Sequence, residues 1–428
     1  MAMEDIFSEA NMLAYAGACI DLAINIPEKQ KLIGFDTLII PSRGALPFFL
    51  GVAHALEDLS IFGVDQENFR NNLGVQSVLA PLLPEDSQIS QDVEGKNVRV
   101  LLAPFTADLN IEKFDSEADN TVYTTKTRDY WAKVTASFFQ LPQTRREDPY
   151  FKSFVDVVLR GIEGREEVAR SYEVFPAIQR GFSMIDTVIS GRAANDILKS
   201  FDSLSEVRLD PRLRPTAFLV VDNEGNKLKS NPAFFSYLNQ RRVLGDVELF
   251  EVPRIVSEDE GASLLGISAV VYPSVMKASR SLEVEMIEGG DKKTREFFVG
   301  AGSWYLAPDL SKNGKNIYDQ NFNYFMDLVY KAIDAKFAED YEGIAGSDEL
   351  VQFRQAREAF VNHAANTKIL SIHEEDASVL RLSPDYLPQG VYETHSHVLH
   401  IPFQNGTTGK IVKNLLSIPG VKFRSKNG

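Results

Sequence analysis

The sequence predicts an α/β protein, with a mostly parallel sheet flanked by helices in the N-terminal half and an α+β arrangement in the C-terminal half. Two observations lead to this prediction. Short apolar strand patterns such as "GFDTLIIP" and "GFSMIDTVI" alternate with helical patterns through the first half, as they do in βαβ units. Each of these two strands is followed by a turn that contains glycine, and then by a helix.

Hydrophobic periodicity places the individual elements. In the first half it predicts helices over 6–26, 45–59, 151–162 and 193–201, and strands over 34–41, 97–105 and 181–189. In the second half it predicts strands over 217–222, 247–255, 267–276 and 390–403, and helices over 322–341, 349–365 and 409–418.

Composition suggests where the chain divides. The stretch "RLDPRLRPT" (208–216) has two prolines and three arginines, which is typical of a boundary. The sequence therefore predicts one α/β domain over 1–207 and an α+β domain over 208–428. Residues 115–149 are polar, charged and aromatic, and we interpret them as a hood inserted into the first domain.

Charge and cysteine content narrow the classes of function. The formal net charge is −15, so most of the surface repels nucleic acid, although a local basic patch remains possible. No apolar run reaches the length of a membrane-spanning helix, and the N-terminus lacks the basic leader of a signal peptide. Cys19 is the single cysteine, which excludes intrachain disulfides and cysteine-based zinc sites. We expect a cytoplasmic protein with Cys19 in its core.

Two strand-turn-helix junctions have the chemistry of an anion site. The first elbow, residues 41–45, contains "PSRGA", and the second elbow, residues 187–193, contains "TVISGRA". A helix N-terminus presents free N–H groups and a positive dipole end, and a small residue lets an anion approach the backbone. Asp186, just before the second elbow, can reach ligand hydroxyls or bind magnesium through water.

The stretch "SMIDTVISGRA" resembles the signature of the type I phosphoribosyltransferases. That signature has apolar residues, two acidic residues and a short loop that ends in a small residue, Thr or Ser, and Gly. The resemblance implies that Asp186 contacts the ribose hydroxyls of phosphoribosyl pyrophosphate. It also implies that the loop holds the 5-phosphate, with the residues Thr187, Val188, Ile189, Ser190, Gly191, Arg192 and Ala193.

The first elbow is similar in form and order to the pyrophosphate loop of the same family. The resemblance implies that Ser42, Arg43, Gly44 and Ala45 surround the pyrophosphate. Arg43 suits this role because a guanidinium donates to two phosphate oxygens at once. We expect Arg43 and Asp186 to be the catalytic residues, with Mg²⁺ as the cofactor and a phosphorylated sugar or nucleotide as the ligand.

The chain departs from the family pattern in ways that leave other functions open. Ile185 occupies the position of the first acidic residue, Thr187 replaces an apolar residue, and Ile189 replaces a carboxylate found in many purine-specific members. Three functions therefore compete: transfer of phosphoribose to a nitrogenous base, nucleotide sensing without catalysis, and an interaction protein whose elbows are ordinary βα turns. A homo-oligomer is compatible with each of them.

Two further motifs carry weaker signals. In "ETHSHVLH", His395 and His397 share one face of the predicted strand with Glu393, and such pairs bind zinc or iron when further ligands converge. Half-exposed histidines beside acidic neighbours are the alternative interpretation. "QNGTTGKIV" resembles a phosphate loop, but Gln404 replaces its first glycine and Ile411 its Ser or Thr, so a nucleotide site there is disfavoured.

Overall fold

The structure is a computed structural model of the chain. It describes residues 6–41, 44–58, 64–76, 97–102, 105, 117–155, 170, 172–224, 227–256, 280–288, 291–299, 314–340, 343, 346–366, 380–382, 399–401 and 423–425.

Helices and strands are interspersed through the described residues up to 256. The helices are α1 (Glu9–Ile33), α2 (Ala45–Asp58), α3 (Val64–Asn71), α4 (Glu117–Ser137), α5 (Pro142–Arg145), α6 (Pro149–Ser153), α7 (Arg192–Arg208), α8 (Pro232–Val243), α9 (Gly314–Asp340) and α10 (Asp348–Asn366). The strands are β1 (Thr37–Ile40), β2 (Leu73–Gln76), β3 (Val98–Leu102), β4 (Phe182–Val188), β5 (Thr216–Asp222), β6 (Val247–Val252), β7 (Arg280–Glu288), β8 (Asp291–Val299), β9 (Leu380–Leu382), β10 (Leu399–Ile401) and β11 (Phe423–Ser425).

Helix α1 shows how local sequence sets the limits of an element. Ser8 caps its N-terminus by accepting a hydrogen bond from the Asn11 N–H at 3.3 Å, as N-cap residues do. The helix continues through Pro27 and ends at Gly34, which has a φ of 71°, a left-handed conformation that favours glycine. The helix therefore continues for about two turns past the predicted end at residue 26, because Pro27 does not end it.

Six parallel strands form the central sheet in the order β2-β3-β1-β4-β5-β6. This confirms the predicted α/β class with a parallel sheet. From β1 the chain moves towards β2 and β3, and from β4 it moves the other way, towards β5 and β6. Parallel crossovers are right-handed, so helices α2 and α7 lie on opposite faces of the sheet. The carboxyl ends of β1 and β4 flank the point where the direction reverses.

The sheet continues across the boundary predicted at 207/208. Strand β5 pairs with β4 over six residues, and β6 pairs with β5. The proline- and arginine-rich stretch contains a short 3₁₀ helix, Pro211–Leu213, that leads from α7 into β5. Its arginines hold the strand in place: Arg214 binds Asp246 at 2.7 Å, and Arg212 donates to the Ile178 carbonyl. Residues 207 and 208 are the last two of α7, which connects β4 and β5 of the same sheet.

One helical layer joins the first and second halves of the chain. Helix α9 packs against α1 and α2. Tyr15 stacks on Phe48 with ring centroids 3.8 Å apart and also meets Phe325 edge-on. Phe7 packs against Phe325 and against Phe360 of α10. Cys19 is fully buried in this layer, as predicted, and burial raises the pKa of its thiol.

The other helical layer contains most of the segment predicted as a hood. Helix α4 packs against α7, with Trp131 and Val134 buried. Arg128 of α4 binds Asp196 of α7 at 2.7 Å, and Phe201 of α7 packs against Phe182 of β4. The segment predicted as a hood therefore contributes a core helix beside the second elbow.

Beyond residue 256 the structure describes further antiparallel strands. Strands β7 and β8 form a hairpin, and β9, β10 and β11 form a small antiparallel sheet. Strand β10 (Leu399–Ile401) lies within the strand predicted over 390–403. The strand predicted over 267–276 and the helix predicted over 409–418 lie outside the described residues.

Candidate functional site

The two elbows follow neighbouring strands of the sheet. Strands β1 and β4 pair in parallel, with Leu38 beside Ser183 and Ile39 beside Met184. Because both strands run in the same direction, their carboxyl ends, and the elbows that follow them, lie on one edge of the sheet. In open α/β sheets, ligands bind at this edge where the chain direction reverses.

The first elbow is described only at its two ends. Ser42 and Arg43 lie outside the described residues. The Pro41 carbonyl accepts a hydrogen bond from the Phe105 N–H at 2.8 Å, which holds the segment after β3 beside the end of β1. Gly44 and Ala45 are buried at the start of α2.

The second elbow is partly open. Thr187 and Val188 end β4 and are buried, whereas Ile189, Ser190, Arg192 and Ala193 are half-buried. The Ser190 hydroxyl lies 3.5 Å from the Arg192 N–H, the first amide of α7, which is at the long limit of a hydrogen bond. The half-buried turn therefore brings a hydroxyl, a cation and the N-terminus of a 17-residue helix together.

Gly191 is required by the shape of this turn for two reasons. Its φ is 79°, a conformation in which a side chain is strained. A Cβ added there would also lie 2.5 Å from Cδ1 of Leu228 and 3.3 Å from Cβ of Phe234. The loop after β5 and the start of α8 thus press on the glycine, so this residue has a packing role in addition to any role in binding.

Asp186 is the acidic residue next to the second elbow, and it is 1% exposed. Its Oδ1 accepts a hydrogen bond from the Thr187 N–H at 2.9 Å. Since side chains alternate along a strand, Asp186 lies on the same face of β4 as Phe182, which packs against α7. Ile185 lies on the opposite face and is fully buried. The apolar residue at the first acidic position is therefore part of the core.

Four side chains beside the second elbow had no signal in the sequence. Thr125 and Arg128 of α4 donate to Asp196 at 3.1 and 2.7 Å, and so fasten α4 to the first turns of α7. Asn195 is 2% exposed, and its Oδ1 has no hydrogen-bond partner within the described part of the chain. Helix α4 is far from α7 in sequence, and periodicity does not reveal which helices pack together.

Strands β5 and β6 add a second buried carboxylate at the same edge. Asp222 ends β5, and its Oδ2 accepts from the Ile255 N–H at 3.2 Å while its Oδ1 lies 3.7 Å from Arg254. The Arg254 N–H in turn donates to Asn11 of α1 at 2.9 Å. The carboxylate therefore fastens the segment after β6 to the end of β5, and Asn11 fastens the same segment to α1. The sequence did not single it out, because it stands in an ordinary turn pattern.

The described residues contain neither a metal-binding cluster nor a membrane-spanning helix. Among them, no group of three or more His, Cys, Asp or Glu side chains is arranged to hold a metal ion. His395, His397 and Glu393 lie outside the described residues, as do Gln404 and Ile411. In the described part of the chain, no helix combines the length and apolarity needed to cross a membrane.

Comparison of the chain with protein-family models, with curated proteins and with solved structures finds no match.

Proposed function

We propose that the crevice between the two elbows binds phosphoribosyl pyrophosphate or a nucleotide, and that the protein is phosphoribosyltransferase-like. The observation that carries this proposal is the pairing of β1 with β4. Two elbows that are about 150 residues apart in the sequence follow neighbouring strands, at the edge where α/β sheets bind ligands.

The second elbow supplies the phosphate contacts in this proposal. The first turn of α7 has free N–H groups and the positive end of a helix dipole. Arg192 adds a cation, and Ser190 adds a hydroxyl, both on half-buried residues. Arg43 of the first elbow binds the pyrophosphate through its fork of donors. Charge that develops on a leaving pyrophosphate would be stabilised by the same groups.

Asp186 is suited to a magnesium ion that arrives with the phosphates. Magnesium keeps several waters and takes only one or two protein carboxylates, with the substrate phosphates as further ligands. A single buried carboxylate at the strand end therefore fits this role without a preformed cluster. The bound ion would neutralise charge on the phosphates, while Asp186 fixes the ligand by contacts to the ribose hydroxyls.

Calorimetry with phosphoribosyl pyrophosphate and Mg²⁺ tests the proposal. We expect heat of binding for the parent chain, and a loss of about tenfold or more in affinity for Asp186→Asn and for Arg43→Ala, since each removes a charge-assisted contact. Asp210→Asn, at the opposite edge of the sheet, is the matched control and should bind like the parent. No heat with the parent chain, or equal affinity in all four proteins, would contradict the proposal.

A sensor without turnover is the second candidate, and Ile185 favours it. The residue is apolar and fully buried, so β4 presents one carboxylate where the family pattern has two. Release of pyrophosphate across a panel of purine and pyrimidine bases separates the two functions. Turnover that Asp186→Asn abolishes identifies a transferase, whereas binding with no pyrophosphate release identifies a sensor.

A further inference from the structure

Exposed apolar side chains are concentrated at the amino edge of the sheet, opposite the candidate site. Helices run against the strands in βαβ units, so helix ends and strand starts share this edge. Eight of the ten exposed large apolar residues identified in the described chain lie there; the other two are Tyr324 and Val351 of α9 and α10. The eight, which we call the amino-edge surface, are Leu32, Ile33, Leu141, Val174, Val207, Leu209, Val243 and Leu244.

Contacts between the loops make this surface continuous. Lys29, near the end of α1, donates to the Gly245 carbonyl at 2.9 Å, which joins α1 to the turn that contains Val243 and Leu244. Arg214 joins that turn to the segment after α7 through Asp246. Arg212 donates to the Ile178 carbonyl, and Arg146 pairs with Glu173. Ile178 and Glu173 lie on either side of Val174 in the sequence.

Leu209 is costly to the fold in two ways. It has a φ of 53° and is the one non-glycine residue with positive φ in the part of the chain that the structure describes. Helix ends with this conformation usually have glycine, and a leucine there is strained because its Cβ crowds the backbone. The side chain is also 88% exposed, so its apolar surface does not stabilise the fold by burial. A residue that is both strained and exposed points to a contact outside the chain.

The charge around these residues differs from that of the whole protein. When only exposed and half-buried side chains are counted, the stretches 28–36, 140–149, 172–181, 205–216 and 240–246 hold eight basic and six acidic residues, whereas the chain has 45 basic and 60 acidic residues. Arg180 and Arg242 are exposed, and neither has a carboxylate partner among the described residues. The amino-edge surface is thus apolar with a local basic excess on an acidic protein.

We propose that the amino-edge surface binds an acidic protein segment that presents apolar side chains. Leu209 and Val207 are the apolar anchors, and Arg180 and Arg242 steer and orient the acidic partner. A symmetric dimer through this face would bring the same arginines of two copies together, which disfavours a second copy. An anionic membrane or a nucleic acid would meet the net charge of −15 on the rest of the chain.

A reporter thiol tests this proposal directly. Cys19, the single cysteine, is fully buried, so Val243→Cys carries the accessible thiol and can be labelled with a dye that responds to its surroundings. The probes are a 20-residue peptide of glutamate with leucine at helical spacing, and the same peptide with lysine in place of every glutamate. Val351→Cys, on α10 and away from the surface, is the control reporter.

We expect the glutamate peptide to shift the dye emission of Val243→Cys, with an affinity about tenfold above that of the lysine peptide and falling as salt is raised. Leu209→Gly and Val207→Ser in the same background should each weaken the binding about fivefold to tenfold, because each removes an apolar contact. The Val351→Cys reporter should not respond. Leu209→Gly should unfold in urea at or above the parent midpoint, because glycine relieves the strain.

Four results would overturn the proposal. Equal affinity for the two peptides, or no binding of either, would show that the surface does not select an acidic partner. A parent chain that sediments as a dimer, which Leu209→Gly converts to a monomer, identifies a second copy as the occupant. A dye response to phosphatidylserine vesicles and not to the peptide identifies a membrane. A Val243→Cys thiol that resists labelling in the free protein shows that another segment of the chain covers the surface.

Discussion

At the amino edge of the sheet, charged side chains bond to backbone groups far away in the sequence, and Asp222 at the carboxyl edge does the same through the Ile255 N–H. At the second elbow, by contrast, Asp186 and Ser190 bond to amides one or two residues away. Asp36, before β1, accepts from the N–H groups of Gln179 and Arg180 and binds Arg99 at 3.1 Å. Arg145 makes a larger number of such hydrogen bonds. Its guanidinium is fully buried and donates to the five carbonyls of Ser137, Phe138, Gln140, Tyr172 and Phe175.

This difference indicates how the amino edge and the second elbow divide their tasks. At the amino edge, buried charge cross-links loops, and its loss should weaken the fold. At the carboxyl edge, the second elbow is shaped by its own backbone and by the close approach of Leu228 to Gly191, while Ser190 and Arg192 stay half-buried. Substitution of these two side chains should leave the fold intact and change binding.

The largest effect is expected from Arg145→Met. Burial, together with the charge of Arg99, lowers the pKa of Arg145 to about 10, so the group remains charged at neutral pH. Its removal leaves five buried carbonyls short of a donor, and we expect the free energy of unfolding to fall by about 3–5 kcal/mol. Urea unfolding measures this loss.

Arg146→Met is the matched control for Arg145→Met. The Arg146 side chain is about half exposed and pairs with Glu173 at 3.3 Å, so its loss should change the unfolding free energy by less than about 1 kcal/mol. Equal losses in the two variants would show that the buried guanidinium has no special role in joining the amino-edge loops.

The second-largest loss of stability is expected from substitution of a glycine, and the sheet has one suitable glycine at each edge. Gly191→Ala should destabilise the protein by about 2–3 kcal/mol, because it adds a clash with Leu228 to the strain of a positive φ. Gly34→Ala has a similar φ of 71° and nothing within 4 Å of the new methyl group, so we expect about 1 kcal/mol. The difference between the two unfolding free energies measures how tightly the second elbow is packed.

The smallest effect concerns a partly exposed carboxylate of the amino edge. A hydrogen bond from the Arg212 side chain lowers the pKa of Asp210 below its usual value of 3.8. The stabilisation is therefore complete above that value and is lost as the pH falls through the lower folded pKa. Asp210→Asn keeps the cap of the 3₁₀ helix, so it should lower the unfolding free energy by less than about 1 kcal/mol at pH 7. The difference from the parent should close as the pH falls below 3.8; a gap that persists would argue against an ionic cause.

The local elements were predictable because their signals are short-range. The strands before both elbows, and the helices after them, follow from runs such as Leu38–Ile40 bounded by glycine and proline. The pairing of β1 with β4 was not readable, because strands buried on both faces show no alternation that identifies a neighbour. The stretch 208–216 resembles a solvated linker in sequence, whereas in the structure its Arg212 and Arg214 bind Ile178 and Asp246.

The role of Arg145 could not be predicted from the sequence either. It stands in the charged run "RRED", where an exposed arginine is the ordinary expectation. Its acceptors come from segments on both sides of it, including Tyr172 and Phe175, and only the folded chain brings them together. For the candidate site, residue type indicated Asp186 and Gly191, but not the packing of Leu228 that also requires the glycine.

Helix α9 has a consequence for how the protein is made. It covers aromatic side chains of α1 and α2, and His54 of α2 lies 2.7 Å from Asp334 of α9. During synthesis, strands β1 to β6 therefore emerge from the ribosome well before the segment that shields Tyr15 and Phe48. A nascent chain halted near residue 256 would display this aromatic layer to water and be prone to aggregate. The protein should depend on a chaperone, or on rapid elongation, until residue 340 has emerged.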